Sequence, residues 1–165
     1  AEPLYRQVLE LREVTLGRTH PSTLSSVNNL ANLLKNQGKL AEAEPLYRWA
    51  LAERETAFGR KHPSTLASVN NLAGLLLAQG KLDDAEPLYR RALAGRKAAL
   101  GPLHSYTLNS QGNLGSLLML DPSRTDEGTA MVRETLASLA APPHSFGASH
   151  NWIKKFTALL GTPDT

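Results

Sequence analysis

His20-Pro21-Ser22-Thr23-Leu24-Ser25-Ser26-Val27-Asn28-Asn29-Leu30-Ala31 returns 42 residues later as His62-Pro63-Ser64-Thr65-Leu66-Ala67-Ser68-Val69-Asn70-Asn71-Leu72-Ala73. A third, worn copy starts at His104-Ser105-Tyr106-Thr107-Leu108 and continues through Ser110-Gln111-Gly112-Asn113-Leu114-Gly115. The same interval separates Ala-Glu-Pro-Leu-Tyr-Arg at Ala1, Ala43 and Ala85. Self-similarity at one fixed interval marks a repeat architecture, in which each copy is a supersecondary unit that stacks on its neighbours.

Each copy carries two helical patterns. Leu24, Val27, Leu30, Ala31 and Leu34 recur at three- and four-residue spacings, one face of a helix. Pro21 suits the first turn, where its missing N–H and fixed φ cost little. Gln37-Gly38 ends the run, with Gly38 fitted to a left-handed C′ position. The second pattern runs over about 40–58 with Ala43, Leu46, Tyr47, Ala50 and Leu51, and stops at Gly59. Pro45 inside it predicts a tight or slightly bent first turn. Both faces are too apolar to stand alone, so hairpins have to stack into a solenoid. The punctuation predicts eight helices, near 1–16, 21–37, 40–58, 63–79, 82–100, 105–120, 125–140 and 146–160, and no sheet.

The chain has 165 residues, 41% of them apolar but only 5% aromatic, a core of Leu, Ala and Val that fits packed helices. It has no Cys, which excludes disulfides, thiolate metal sites and cysteine nucleophiles. The longest apolar stretch, near 72–78, is too short to span a bilayer. Ala1-Glu2-Pro3 carries no initiator Met and no signal-peptide pattern, so the chain reads as a cut fragment, soluble and cytoplasmic by default. Residues 1–18 read as the second helix of a truncated repeat, followed by repeats at 19–60 and 61–102 and a degenerate one at 103–141. Pro142-Pro143 then breaks the chain, and 142–165 reads as a capping helix and tail. Leu4, Tyr5 and Val8 stand where later repeats pack Leu46, Tyr47 and Ala50, so the N-terminal edge is expected to self-associate or to dock a partner. A net charge of +3 with both signs interspersed argues against a nucleic-acid partner.

Chemistry is sparse. His20, His62 and His104 sit one repeat apart on equivalent loops, too far from one another to converge on a zinc ion. They read as loop residues preceding a helix, and His144 and His150 have no carboxylate nearby in sequence. Glu42/Glu44 and Asp83/Asp84 read as helix-start charges that favour the dipole. No phosphate loop, nucleophile elbow or zinc-protease motif occurs. The expectation is therefore no enzyme activity, no cofactor, no metal and no small-molecule substrate. Asn28, Asn29, Asn70, Asn71 and Asn113 are different. They occupy helix interiors, where Asn is a poor helix former, and a cost repeated at one register calls for a compensating role.

Val27, Leu30, Ala31, Leu34, Ala43, Tyr47 and Ala50 resemble the small-and-large signature of the tetratricopeptide repeat. The 42-residue period, with Gly-x-x-His-Pro, Asn-Asn-Leu-Ala and Ala-Glu-Pro-Leu-Tyr, resembles the kinesin-light-chain subclass. The resemblance covers nearly the whole chain. It implies an all-α, right-handed superhelical solenoid of antiparallel helix hairpins whose first helices line a concave groove. On that mapping the groove holds Asn28, Asn32 and Lys35, then Asn70, Gly74 and Leu77, then Gly112, Ser116 and Met119. Asn28 and Asn70 would grip a peptide backbone, while Asn29, Asn71 and Asn113 would lock neighbouring helices. Only Lys35 is basic at these registers, so neither a chaperone-tail clamp nor a basic cargo groove is expected.

A second surface is Arg90, Arg91, Arg96 and Lys97, a basic convex patch balanced only by Glu86. The function expected is a non-enzymatic scaffold whose groove binds an extended peptide of a protein partner. The alternative is an accessory subunit held in a large assembly through its edges and convex face.

Overall fold

The computed structural model describes residues 1–140 and 151–161. These form α1 (Glu2–Leu16), α2 (Pro21–Asn36), α3 (Leu40–Phe58), α4 (Pro63–Ala78), α5 (Leu82–Leu100), α6 (Ser105–Leu118), α7 (Thr125–Ala140) and α8 (Asn151–Leu159), with no strand among the described residues. The period and its punctuation therefore read the helices to within two residues through α7. The described part of the eighth, Asn151–Leu159, falls inside the expected 146–160. Residues 146–150, His144, His150 and the Pro142-Pro143 break lie outside the described residues.

The repeated histidines start the first helices of the hairpins. Nδ1 of His20, His62 and His104 accepts the backbone N–H of Ser22, Ser64 and Tyr106, each at 3.2 Å. An orphan helix-start donor is satisfied by an imidazole in place of the usual Ser or Asp. At the other end of α2 the Gly38 N–H reaches Lys35 O at 3.0 Å and the Lys39 N–H reaches Leu34 O at 2.9 Å, a Schellman closure. It needs the positive φ of 77° that Gly38 adopts. Pro45 and Pro87 lie inside α3 and α5, and both helices continue through them.

Two compact units divide within α5, Ala1–Leu88 and Tyr89–Thr165. In the first, α2 packs on α1 and on α3, α3 packs on α4, and α2 also approaches α4 directly. Its core is Leu24, Val27, Leu30, Ala31 and Leu34 of α2, Ala43, Tyr47 and Ala50 of α3, and Leu66, Val69, Leu72 and Ala73 of α4. In the second unit α6 packs on α7, and α8 touches both. There Leu108, Val132, Leu139 and Phe156 form the buried cluster. The α6 and α7 backbones meet at a glycine pair. A Cβ on Gly128 would stand 2.5 Å from Gly115 O and 2.7 Å from Met119 N.

An arginine staple fastens each second helix to the next first helix. Arg12 Nη1 donates to Ser22 O at 3.0 Å and Ser26 Oγ at 2.7 Å. Arg54 does the same to Ser64 O at 3.3 Å and Ser68 Oγ at 2.7 Å. Arg96 repeats it with Tyr106 O at 3.0 Å and Ser110 Oγ at 2.8 Å, its guanidinium 5.5 Å from the Tyr106 ring centroid. Arg54 and Arg96 are buried, which pushes both guanidinium pKa values down.

Candidate functional site

On α2, Asn28, Asn32 and Lys35 are spaced to share one helical face, and Asn70, Gly74 and Leu77 repeat that spacing on α4. Asn28 is 9% exposed, and its Oδ1 is buried with no hydrogen-bond partner. Such an orphan is uncommon in a native interior and calls for an explanation. Asn32 is already employed: its Oδ1 accepts the Tyr47 hydroxyl of α3 at 2.5 Å. Burial in turn pushes the Tyr47 phenol well above its usual pKa. Lys35 is partly buried, and desolvation alone lowers its ammonium pKa, with no carboxylate holding it up. Asn70, Gly74 and Leu77 are each partly buried. This face thus combines an amide whose buried oxygen has no partner inside the fold, a cation with no carboxylate beside it and a partly buried apolar side chain.

The third set of groove residues is placed otherwise. Gly112 and Ser116 are buried, and Met119 packs against the cluster that contains Phe156. A Cβ on Gly112 would come 2.2 Å from Phe156 Cζ, so α8 lies on that face. Ser116 Oγ turns back to Gly112 O at 2.7 Å. Expectation and structure differ because the sequence places α8 after the last repeat without saying which surface it covers. Asn113 does bind a neighbouring helix, accepting Lys155 Nζ of α8 at 2.6 Å. Asn29 is exposed beside α1 and locks no helix.

The basic convex patch also needs correcting. Arg96 is 6% exposed and belongs to the staple, so it offers no surface charge. Arg90 and Lys97 are exposed and Arg91 is partly buried. The staple role of Arg12, Arg54 and Arg96 is absent from the expectations drawn from the sequence. Their signal was available: each arginine recurs at 42 residues, and so does a serine fourteen residues beyond it.

The N-terminal helix leaves Leu4, Leu11 and Val14 at 65%, 63% and 81% exposure. A shallow cavity of about 220 Å³ opens between Leu4, Tyr5, Val8, Arg12, Ser26 and Asn29. No described helix is long and apolar enough to cross a membrane. Among the described residues no group of three or more His, Asp or Glu side chains is placed to hold a metal ion.

Helix hairpins that recur at a fixed interval and are fastened to one another by repeated polar staples define a helical-repeat protein. The chain belongs to the tetratricopeptide repeat family, whose profile matches residues 1–56, 26–98 and 64–139. Among solved structures it is similar to a kinesin light chain of Podosopora anserina, described as putative and as having nearly identical TPR-like repeats. That likeness is 26% identity and a TM-score of 0.73 over 97% of this chain and 77% of the other. A single-substitution variant of the same protein gives 25% identity and a TM-score of 0.72 over the same shares. BtubC (BKLC) from P. vanneervenii shares the fold at 22% identity and a TM-score of 0.75, over 98% of this chain and 65% of its own. Comparison with curated proteins gives no match. Tetratricopeptide repeats serve in general as protein–protein interaction scaffolds and are generally not catalytic.

Proposed function

We propose that the α2–α4 face binds an extended peptide segment of a partner protein. The observation that supports this reading is a pair of polar groups on α2: the Asn28 amide, whose buried Oδ1 has no partner inside the fold and gains one only when the side chain turns outward, and the partly buried Lys35 ammonium, which burial alone depresses. Side-chain amides both donate to and accept from an extended backbone, which gives affinity without sequence selection. Asn28 and Asn70 do this, Lys35 adds one charge, and Leu77 receives an apolar side chain that supplies the selection. Gly112, filled by the Phe156 ring, Ser116, buried and turned back to Gly112 O, and Met119, packed on the cluster of the second unit, are not counted in this surface.

The experiment is to select peptides by display against the chain and titrate them against wild type, Asn28→Ala, Asn70→Ala and Leu77→Asp. Each lost amide contact is expected to weaken binding by about 0.5–1.5 kcal/mol. Salt should matter little, with Lys35 the single charge of the set. Equal binding by all four chains, with charge reversal at Arg90 and Arg91 abolishing it, would place the interface on the Arg90–Arg91 surface.

A second reading rests on α1. Its exposed Leu4, Leu11 and Val14 and the cavity beside Tyr5 favour an edge that docks another helix, as the alternative of an assembly subunit requires. Sedimentation that shows a monomer over a wide concentration range, unchanged by Leu4→Asp and Val8→Asp, would remove it for self-association.

A further inference from the structure

In the second unit, α8 stands where a partner could. Phe156 is its one fully buried side chain, and the ring fills the space that a side chain at position 112 would need. The two earlier copies carry Asn28 and Asn70 at this register, so the third has lost its side chain where α8 needs room. Beside the notch, Lys155 Nζ donates to Asn113 Oδ1 at 2.6 Å, and the Trp152 ring tilts against Tyr106 with 6.1 Å between centroids. Trp152, Phe156 and Leu160 follow one another at four-residue spacing, so they share one face of the helix.

α8 fully buries Phe156 alone, with Trp152, Ile153 and Leu160 partly buried against the same cluster, whereas α6 buries eleven residues, so exposing α8 costs less than exposing α6. What holds α8 in place is the Phe156 ring against Leu108, Val132 and Leu139. Segments with few buried apolar contacts open locally well before the unit that carries them unfolds.

We infer that the α6 face is a docking site for a short amphipathic helix with aromatic residues four apart, and that α8 is its built-in, displaceable occupant. Phe156 in the Gly112 notch keeps the face closed against a partner helix of the same chemistry. A tethered occupant of this kind competes at an effective concentration on the order of millimolar. A partner must therefore exceed that local competition, which makes the face selective for strong binders. The inference concerns the second unit and stands whether or not the α2–α4 face binds a peptide.

Two measurements on the 165-residue chain test it: hydrogen exchange, and titration with a labelled peptide of residues 151–161. In wild type the α8 amides are expected to exchange at least about tenfold faster than those of the α6 core. Phe156→Ala, with its own occupant weakened, should bind the peptide at least about tenfold more tightly than wild type. Gly112→Ala fills the notch. The ring at the end of its side chain has to leave, while α6 gains a better helix former. That variant should show a freely exchanging α8, unchanged protection of α6 and α7, and no peptide binding. Protection of α8 equal to that of α6 overturns the inference. So does loss of α6 and α7 protection in Phe156→Ala, because α8 is then an integral part of the unit. A folded Phe156→Ala chain that ignores the peptide overturns it as well.

Discussion

At the scale of single residues, buried polar groups fasten one helix to the next. Arg54 spends its guanidinium on Ser64 O and Ser68 Oγ, and truncation would leave both acceptors facing a void. Arg54→Ala is therefore expected to lower the unfolding free energy by about 2–4 kcal/mol, read by urea denaturation. A change within the range of an ordinary surface substitution would mean that the staple carries no load. The threonines one residue before the leucine of each copy offer an internal control. The Thr65 hydroxyl donates to Arg54 O at 3.2 Å, whereas the Thr107 hydroxyl is buried with no partner. Thr65→Val should cost about 0.5–1.5 kcal/mol, while Thr107→Val should be neutral or stabilising, since it removes a group already unsatisfied. Equal costs at the two positions, in the same denaturation assay, would contradict the difference between the copies.

At the scale of elements, two devices set how helices meet. Glu44 of α3 accepts Gln79 Nε2 at 2.9 Å, Arg48 Nε at 2.9 Å and Lys81 Nζ at 3.2 Å, and so joins α3 to the end of α4. The Gln79 bond first, then Arg48, hold its carboxyl down at about 2. Because the folded pKa lies below the unfolded one, its stabilisation is complete above the unfolded value of 4.5 and is lost as pH falls toward about 2. Denaturation midpoints measured between those limits should fall more steeply for wild type than for Glu44→Gln, and parallel curves would refute the linkage. The second device is the Gly115–Gly128 contact. At Gly128 an added methyl meets backbone atoms, Gly115 O and Met119 N, which cannot rotate away as the Phe156 ring can. Gly128→Ala is thus expected to force α6 and α7 apart and to destabilise the second unit by about 1–3 kcal/mol despite the better helix propensity. Wild-type thermal stability in that variant would show that the close approach is unnecessary.

At the scale of the whole molecule, repetition made the fold legible and irregularity hid the rest. The 42-residue interval placed seven helices because each turn is punctuated by Gly, Pro or His, residues whose backbone and capping chemistry act locally. Asn28 and Asn70 were visible for the same reason, as a helix-propensity cost repeated at one register. The destination of α8 was not visible, because a surface chosen by one Phe ring and one missing side chain leaves no periodic trace. Arg96 looks solvated beside Arg90, Arg91 and Lys97, and only the recurrence of its pairing with Ser110 at Arg12 and Ser26 and at Arg54 and Ser68 shows otherwise. The α2–α4 face is proposed to receive a peptide. The most direct test is nuclear magnetic resonance of the side-chain amides during titration with a display-selected peptide. The Asn28 and Asn70 amide signals and the Leu77 methyls are expected to shift together and saturate together, with Arg90 and Arg91 unmoved. Shifts confined to α1 or to the Arg90–Arg91 surface, with the Asn28 and Asn70 amides unchanged at saturation, would contradict it.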